Sequence, residues 1–257
     1  MKNTLVALSV AAMLATAPVM ANKANAVSHN SEKETFKATL LQVFKEDPEI
    51  LLEGIKVLQE HQRELQQAFV EQQFEQQKEK LFHNPADPVF NDGGEVTVVE
   101  FFDYRCGYCQ KNAADIRKLL ENNDNVRFVY KEVAIQGPTS VELHKFSLAV
   151  AKTEPKLYPA FHHGLMTANN VNIAFAKNLA LELGIDVEKV TTLADTDGIQ
   201  QQLDDNYKLM QNLGIRGTPA FYVGDEKLGG LRGYQELRAK VLQQQEKIMA
   251  KRKGNDD

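Results

Sequence analysis

Residues 96–110 read VTVVEFFDYRCGYCQ, and no other stretch of the chain restricts its fold so closely. An apolar, β-branched run (Val96, Val98, Val99, Phe101, Phe102) ends in Asp103-Tyr104-Arg105, and Cys106-Gly107-Tyr108-Cys109 follows at once. Beyond the second cysteine the pattern turns helical, with Ala113, Ile116, Leu119 and Leu120 on one face. A strand that runs into Cys-x-x-Cys and then a helix is the setting in which this spacing means redox chemistry. Cys106, at the helix start, faces unpaired N–H groups and the positive dipole end, which favour its thiolate. Cys109, one turn further in, lies within bonding reach and can resolve a mixed disulfide.

The composition agrees with a reactive pair. Residues 1–21 read as a secretory signal peptide: Lys2, an apolar centre over residues 5–17, and Val19-Met20-Ala21 as a small-residue cleavage site. The apolar run is shorter than the roughly 20 residues that span a bilayer, so export to the periplasm is expected rather than an anchor. Cysteines in an oxidising compartment usually staple the fold. These two, the only ones present, close a loop too small to constrain much chain. Zinc usually takes four ligands, and neither His144 nor His162-His163 stands at a metal-ligand spacing from the pair. No metal and no cofactor are therefore expected; a reduced-state copper- or zinc-binding module is the alternative of a different class. The net charge of −5 comes without a basic patch, which argues against nucleic acid as a partner.

The polar residues 22–33 are expected to be a disordered start. Phe36, Leu40, Val43 and Phe44 then recur at helical spacing, and Asp47-Pro48 opens a second helix that carries Ile50, Leu51, Ile55 and Leu58. That helix continues past Leu65 and Phe69 towards Phe74 and Leu81, through a stretch rich in Gln and Glu. Leu58, Leu65 and Gln72, with Gln62, Phe69 and Gln76, form a weak heptad. A polar helix with one thin apolar stripe is neither buried in its own domain nor stable alone. Self-association through residues 34–82 follows, with a homodimer expected before a trimer; a plain tether is the alternative. The break HNPADP at residues 83–88 marks the domain boundary, which divides the chain into a helical oligomerisation arm (22–84) and a catalytic domain (85–257).

In the second part, a short edge strand at residues 88–90 precedes the strand 96–102, the helix 107–121 and the strand 126–131. Helical patterns follow over an insertion at about residues 139–213. They cover 141–152 behind the capping box Thr139-Ser140-Val141-Glu142, then 157–167, 172–183 closed by Gly184, 187–194 capped by Asp186, and a last helix closed by Gly214. His162-His163, with Tyr158 and Phe161, suit core packing or surface placement better than metal binding. Thr218-Pro219 introduces the strand 220–223, a turn at Asp225-Glu226 leads to a second strand at 227–233, and residues 234–251 form a closing helix. The order is β-β-α-β, a helical block, then β-β-α.

This order resembles a thioredoxin-like α/β fold with a helical insertion, as in the DsbA family of periplasmic thiol:disulfide oxidoreductases. The resemblance covers about residues 85–251. Cys106 and Cys109 match that family's redox pair, and Thr218-Pro219 matches the residue and cis-proline facing it. Glu100, six residues before Cys106, matches a buried acidic residue that could pass a proton to or from Cys109. EFFDYRCGYC together with GTPAF is similar to the subgroup with an N-terminal helical oligomerisation arm, which includes the ScsC-type proteins and other bifunctional DsbA-like enzymes. The resemblance implies unfolded or wrongly bridged exported proteins as substrates, a membrane redox partner that resets the pair, and substrate contacts at Thr218, Pro219, Gly107 and Tyr108. The Gly107-Tyr108 dipeptide departs from the Pro-His of strong oxidants. Tyr108 carries no charge to stabilise a thiolate, so Cys106 is expected below the free value of about 8.5 but above the strongest oxidants. That favours disulfide rearrangement beside oxidation; a dithiol oxidase without isomerase activity is the alternative.

Overall fold

The computed structural model describes residues 21–255. The expected signal peptide lies outside them, apart from Ala21. Two helices come first, α1 (Ala21–Glu46) and α2 (Pro48–Phe82). The disordered start expected over residues 22–33 is instead part of α1; that stretch holds no proline or glycine to stop a helix. Asp47 opens α2, accepting the Glu49 N–H on its side chain at 3.3 Å. Along α2, Leu51, Ile55, Leu58, Leu65 and Phe69 are exposed and follow one another at steps of three, four or seven residues, a stripe that the chain itself leaves uncovered.

The chain divides into two compact units, one ending at Gln66 and the other beginning at Gln67. The second therefore starts inside α2, earlier than the proline break. Phe74 stacks on Tyr222 with ring centroids 5.4 Å apart, and Leu81 is fully buried. The carbonyl end of α2 meets two cations: Arg127 Nη1 donates to the Phe82 carbonyl at 2.7 Å, and Lys131 Nζ donates to the Lys80 carbonyl. Positive charge there offsets the negative end of the helix dipole.

The sheet contains β1 (Val89–Phe90), β2 (Val96–Phe102), β3 (Val126–Glu132), β4 (Ala220–Val223) and β5 (Glu226–Gly229), in the order β1-β3-β2-β4-β5. Only β2 and β3 run parallel, joined by α3 (Gly107–Glu121) as a crossover. β2 is central, and six of its seven residues are buried, as an apolar run between two covered faces requires. Alternation sends Val98 and Phe102 to one face, with α3, and Val99 and Phe101 to the other, with Leu81 of α2.

Five helices lie between β3 and β4: α4 (Pro138–Thr153), α5 (Tyr158–Thr167), α6 (Ile173–Glu182), α7 (Val187–Ala194) and α8 (Asp197–Asn212); α9 (Tyr234–Asn255) closes the chain. The Asn172 and Asp186 side chains cap α6 and α7, and Gly214 ends α8 with a φ of +62°. The capping box expected at Thr139 does not form. Pro138 takes the first turn of α4 behind Gly137, and the Ser140 side chain is drawn away to Asp103. The β4–β5 turn sits one residue early, because Gly224 adopts a φ of +58°. The whole is the thioredoxin-like α/β arrangement with a helical insertion and preceding helices.

Candidate active site

Cys106 is the N-cap of α3. Its extended backbone (φ −78°, ψ 109°) breaks from β2, and its Sγ accepts the Cys109 N–H at 3.4 Å. Across the site the Thr218-Pro219 bond is cis, and Cys106 Sγ donates to the Thr218 carbonyl at 3.3 Å. Both cysteines are free thiols, but they are not equivalent. Cys106 keeps a 6% exposed edge and Cys109 none, so an incoming sulfur reaches Cys106 first. The Cys109 thiol hydrogen bond holds the Cys106 pKa down from 9.0 to about 6, against the opposing effect of burial. The neighbouring Thr218 adds to this, as do the Cys109 and Tyr108 N–H groups. Burial, the bond to Cys106 and the neighbouring Glu100 push the Cys109 thiol far the other way. One sulfur is thus set up as nucleophile and the other as a proton-holding reserve.

Glu100 is completely buried, and neither carboxyl oxygen has a hydrogen-bond partner. Burial raises its pKa well above 4.5, and the nearby Cys106 adds to the effect. It is neither exposed nor paired with Lys131. In the sheet Glu100 stands opposite Tyr130, while Lys131 stands opposite Phe101 on the other face. Lys131 instead makes a buried ion pair with Asp87. Gly107 has open space where a Cβ would stand, and Tyr108 is 63% exposed with Lys111 Nζ 5.5 Å from its ring centre. Of the seven residues expected at the site, Cys106, Cys109 and Thr218 are joined by hydrogen bonds, Glu100 lies near enough to both cysteines to affect their titration, and Gly107, Tyr108 and Pro219 are their neighbours in the chain.

A buried polar set beneath the loop was not foreseen. Asp103 Oδ2 accepts from the Ile135 and Gln136 N–H groups and from Ser140 Oγ (2.8, 3.0 and 2.6 Å); Oδ1 accepts from the Arg105 N–H at 2.8 Å. The Asp103 carbonyl accepts the Cys106 N–H at 3.0 Å, so this anchored residue holds the nucleophile's backbone directly. Glu132 accepts from His144 Nδ1, Ser147 Oγ and Tyr158 Oη at 2.7 to 2.9 Å. Ser147 Oγ and His162 Nδ1 in turn contact Tyr104 Oη at 2.7 and 3.1 Å. Burial alone would lower the His144 pKa, but Asp103 and Glu132 on either side outweigh it and raise it to about 9. His162, without a carboxylate, is lowered to about 3 by burial and is a core residue, as expected. The available signal was the i, i+4, i+7 spacing of Ser140, His144 and Ser147, which puts a polar stripe on the buried, otherwise apolar face of the helix. Among the described residues, no group of three or more His, Cys, Asp or Glu is placed to hold a metal ion.

The comparison with known proteins fits this geometry. Residues 97–242 match the family model for the DSBA-like thioredoxin domain. The chain belongs to this family. It is 27% identical over 161 residues to Disulfide bond formation protein D of Bacillus subtilis (strain 168), a match over 58% of this chain and 72% of that one. A thioredoxin-like oxidoreductase from Silicibacter pomeroyi DSS-3 is 33% identical with a TM-score of 0.62, over 65% of this chain and 97% of that one. ScsC of Proteus mirabilis in a transitional conformation is 26% identical with a TM-score of 0.62, over 85% of this chain and 99% of that one. As a DsbA-like protein the chain is a thiol:disulfide oxidoreductase, and Cys106-Cys109 has the Cys-x-x-Cys spacing that such chemistry uses.

Proposed function

We propose that this protein works in the periplasm after export, where it forms and rearranges disulfide bonds in other exported proteins. The observation that carries the reading is the opposed pair: a Cys106 thiol lowered to about 6, at the Thr218 carbonyl, over a buried and raised Cys109. In rearrangement, the Cys106 thiolate attacks a wrong disulfide. A sulfur–sulfur bond to Cys106 forms, the substrate bond breaks, and one substrate sulfur leaves as a thiolate. A second substrate thiolate can then expel Cys106 with no net redox change. Alternatively, Cys109 gives up its proton and attacks Cys106, expelling the substrate sulfur and leaving the pair oxidised and the substrate reduced by two electrons; in the reverse direction the protonated Glu100 can donate to the departing Cys109 thiolate. Oxidation of a substrate dithiol runs the same steps backwards, and a membrane redox partner would then reset the pair. The neutral Gly107-Tyr108 dipeptide supports the rearranging direction, because a less stabilised thiolate makes a less oxidising disulfide. The exposed stripe on α2 supports a homodimer that brings two sites to one substrate.

Refolding of a protein with scrambled disulfides tests this. The reduced full-length chain should restore native pairing, and Cys106→Ser should abolish it. A chain that oxidises dithiols but leaves scrambled bonds untouched is the dithiol oxidase of the second reading.

A further inference from the structure

The segment that carries Thr218 and Pro219 also builds a cavity of about 380 Å³ beside them. Gly214 ends α8, residues 215–217 lead to the cis bond, and β5 returns along the edge of the sheet to Gly229 and Gly230. Two cations line this cavity, Arg216 and Lys227. Lys227 Nζ donates to the Leu213 carbonyl at 3.1 Å, its one hydrogen bond. Burial and the positive charge of Arg216 both lower its pKa, as like charges held close together do. Among the described residues, neither cation has a carboxylate within ion-pair distance. Arg105, which precedes Cys106, and Lys111, over the Tyr108 ring, also lack one. Some cations elsewhere do pair, such as Arg117 with Glu121 and Arg127 with Asp92, and many surface lysines do not; what sets Arg216 and Lys227 apart is that both line one cavity beside Thr218. The site's own acids cannot supply the missing charge. Glu100 is buried and held protonated, and the Asp103 carboxylate is taken up by four donors.

We propose that this cavity is a specificity subsite for an acidic side chain lying close to the reacting cysteine of the substrate polypeptide. The carboxylate sits between Arg216 and Lys227 while the substrate sulfur meets Cys106, whose Sγ already contacts the neighbouring Thr218 carbonyl. The glycines at 229 and 230 leave the cavity wall open to a side chain, since a Cβ at either would meet nothing within 4 Å. Charge complementarity of this kind acts on encounter and on choice of partner more than on tightness. The inference rests on the thiol:disulfide exchange reading and adds a substrate class to it.

The test uses the oxidised full-length chain and reduced dithiol peptides that differ at one position beside a cysteine, which is Asp, Asn or Lys. Each rate is divided by the same peptide's rate with a small neutral disulfide, which removes the effect of the neighbour on the peptide thiol itself. The Asp peptide should react about five- to tenfold faster than the Lys peptide at low ionic strength, and molar salt should bring the two together. Arg216→Glu combined with Lys227→Met should abolish or reverse the preference. Equal normalised rates for the three peptides, or a preference that survives in the double variant, overturn the subsite. Failure to oxidise even the Asn peptide is a different result, and removes the exchange reading itself.

Discussion

Glu100 is the residue with most to lose by being where it is. A buried carboxyl with no partner is destabilising by about 1–3 kcal/mol, and burial pushes its pKa well above 4.5, so the folded domain holds the proton to a higher pH than the unfolded chain does. Between pH 4.5 and that raised value, the unfolded chain has released a proton that the folded chain still holds. Stability on this account is greatest below pH 4.5 and falls as pH rises through the window. Glu100→Leu should remove the slope and raise the unfolding free energy at neutral pH, read by urea melts, while slowing release of the mixed disulfide by about a hundredfold. A more stable variant that resolves at full speed would show that Glu100 moves no proton. Cys106 works in the opposite sense. Its lowered pKa makes the reduced form gain stability over the range from about 6 up to 9.0, and lose it as pH falls through 6. Thiolate absorbance should titrate at about 6 and vanish in Cys106→Ala; a midpoint near the free value of about 8.5 contradicts the hydrogen-bond account.

Helix α4 acts as an element on the loop that holds Cys106. Ser140, His144 and Ser147 face Asp103, Tyr104 and Glu132, so the insertion braces the β2–α3 junction from outside the sheet. Asp103→Ala would leave three backbone N–H groups and the Ser140 hydroxyl without their acceptor, and should reduce stability by about 3–5 kcal/mol. Ser140→Ala removes one donor and should reduce it by about 1 kcal/mol. If the brace positions the nucleophile, Ser140→Ala also moves the Cys106 titration midpoint, which simple loss of stability leaves in place. The two cysteines could be read from residue order because they sit where a strand ends and a helix starts; Glu100, inside β2, and the roles of Thr218 and Pro219 came from the family resemblance. The brace could not, since Asp103 and His144 are 41 positions apart and only the packed insertion brings them together. The packing of the end of α2 is hidden from the sequence for a similar reason. Its polar surface suggests an arm, yet Phe74 and Leu81 belong to the far face of a sheet whose strands come later in the chain.

For the molecule as a whole, the question is what the exposed stripe on α1 and α2 does for exchange at Cys106. Phe36, Leu41, Leu52, Val57, Leu58 and Leu65 are each more than half exposed, an apolar surface of a kind that soluble chains normally cover. With the stripe paired against a second copy, two Cys106 sites are tethered in one particle, and a substrate held by one is presented to the other at high effective concentration. The full-length protein should therefore have the mass of a dimer and restore scrambled disulfides. A chain beginning at Gln67 should be monomeric and lose about a hundredfold in that assay, while its oxidation of a simple dithiol peptide stays unchanged. A chain beginning at Pro85 should fare worse for a separate reason. It lacks Leu81 and Phe74, uncovers Tyr222, and leaves Lys131 and Arg127 without the α2 carbonyls, so unfolding should become easier by at least about 3 kcal/mol. Comparing the two truncations separates loss of assembly from loss of the fold. Equal isomerisation by the full-length chain and the chain from Gln67 would mean that a single site rearranges disulfides by itself, and that the stripe serves only to hold copies together.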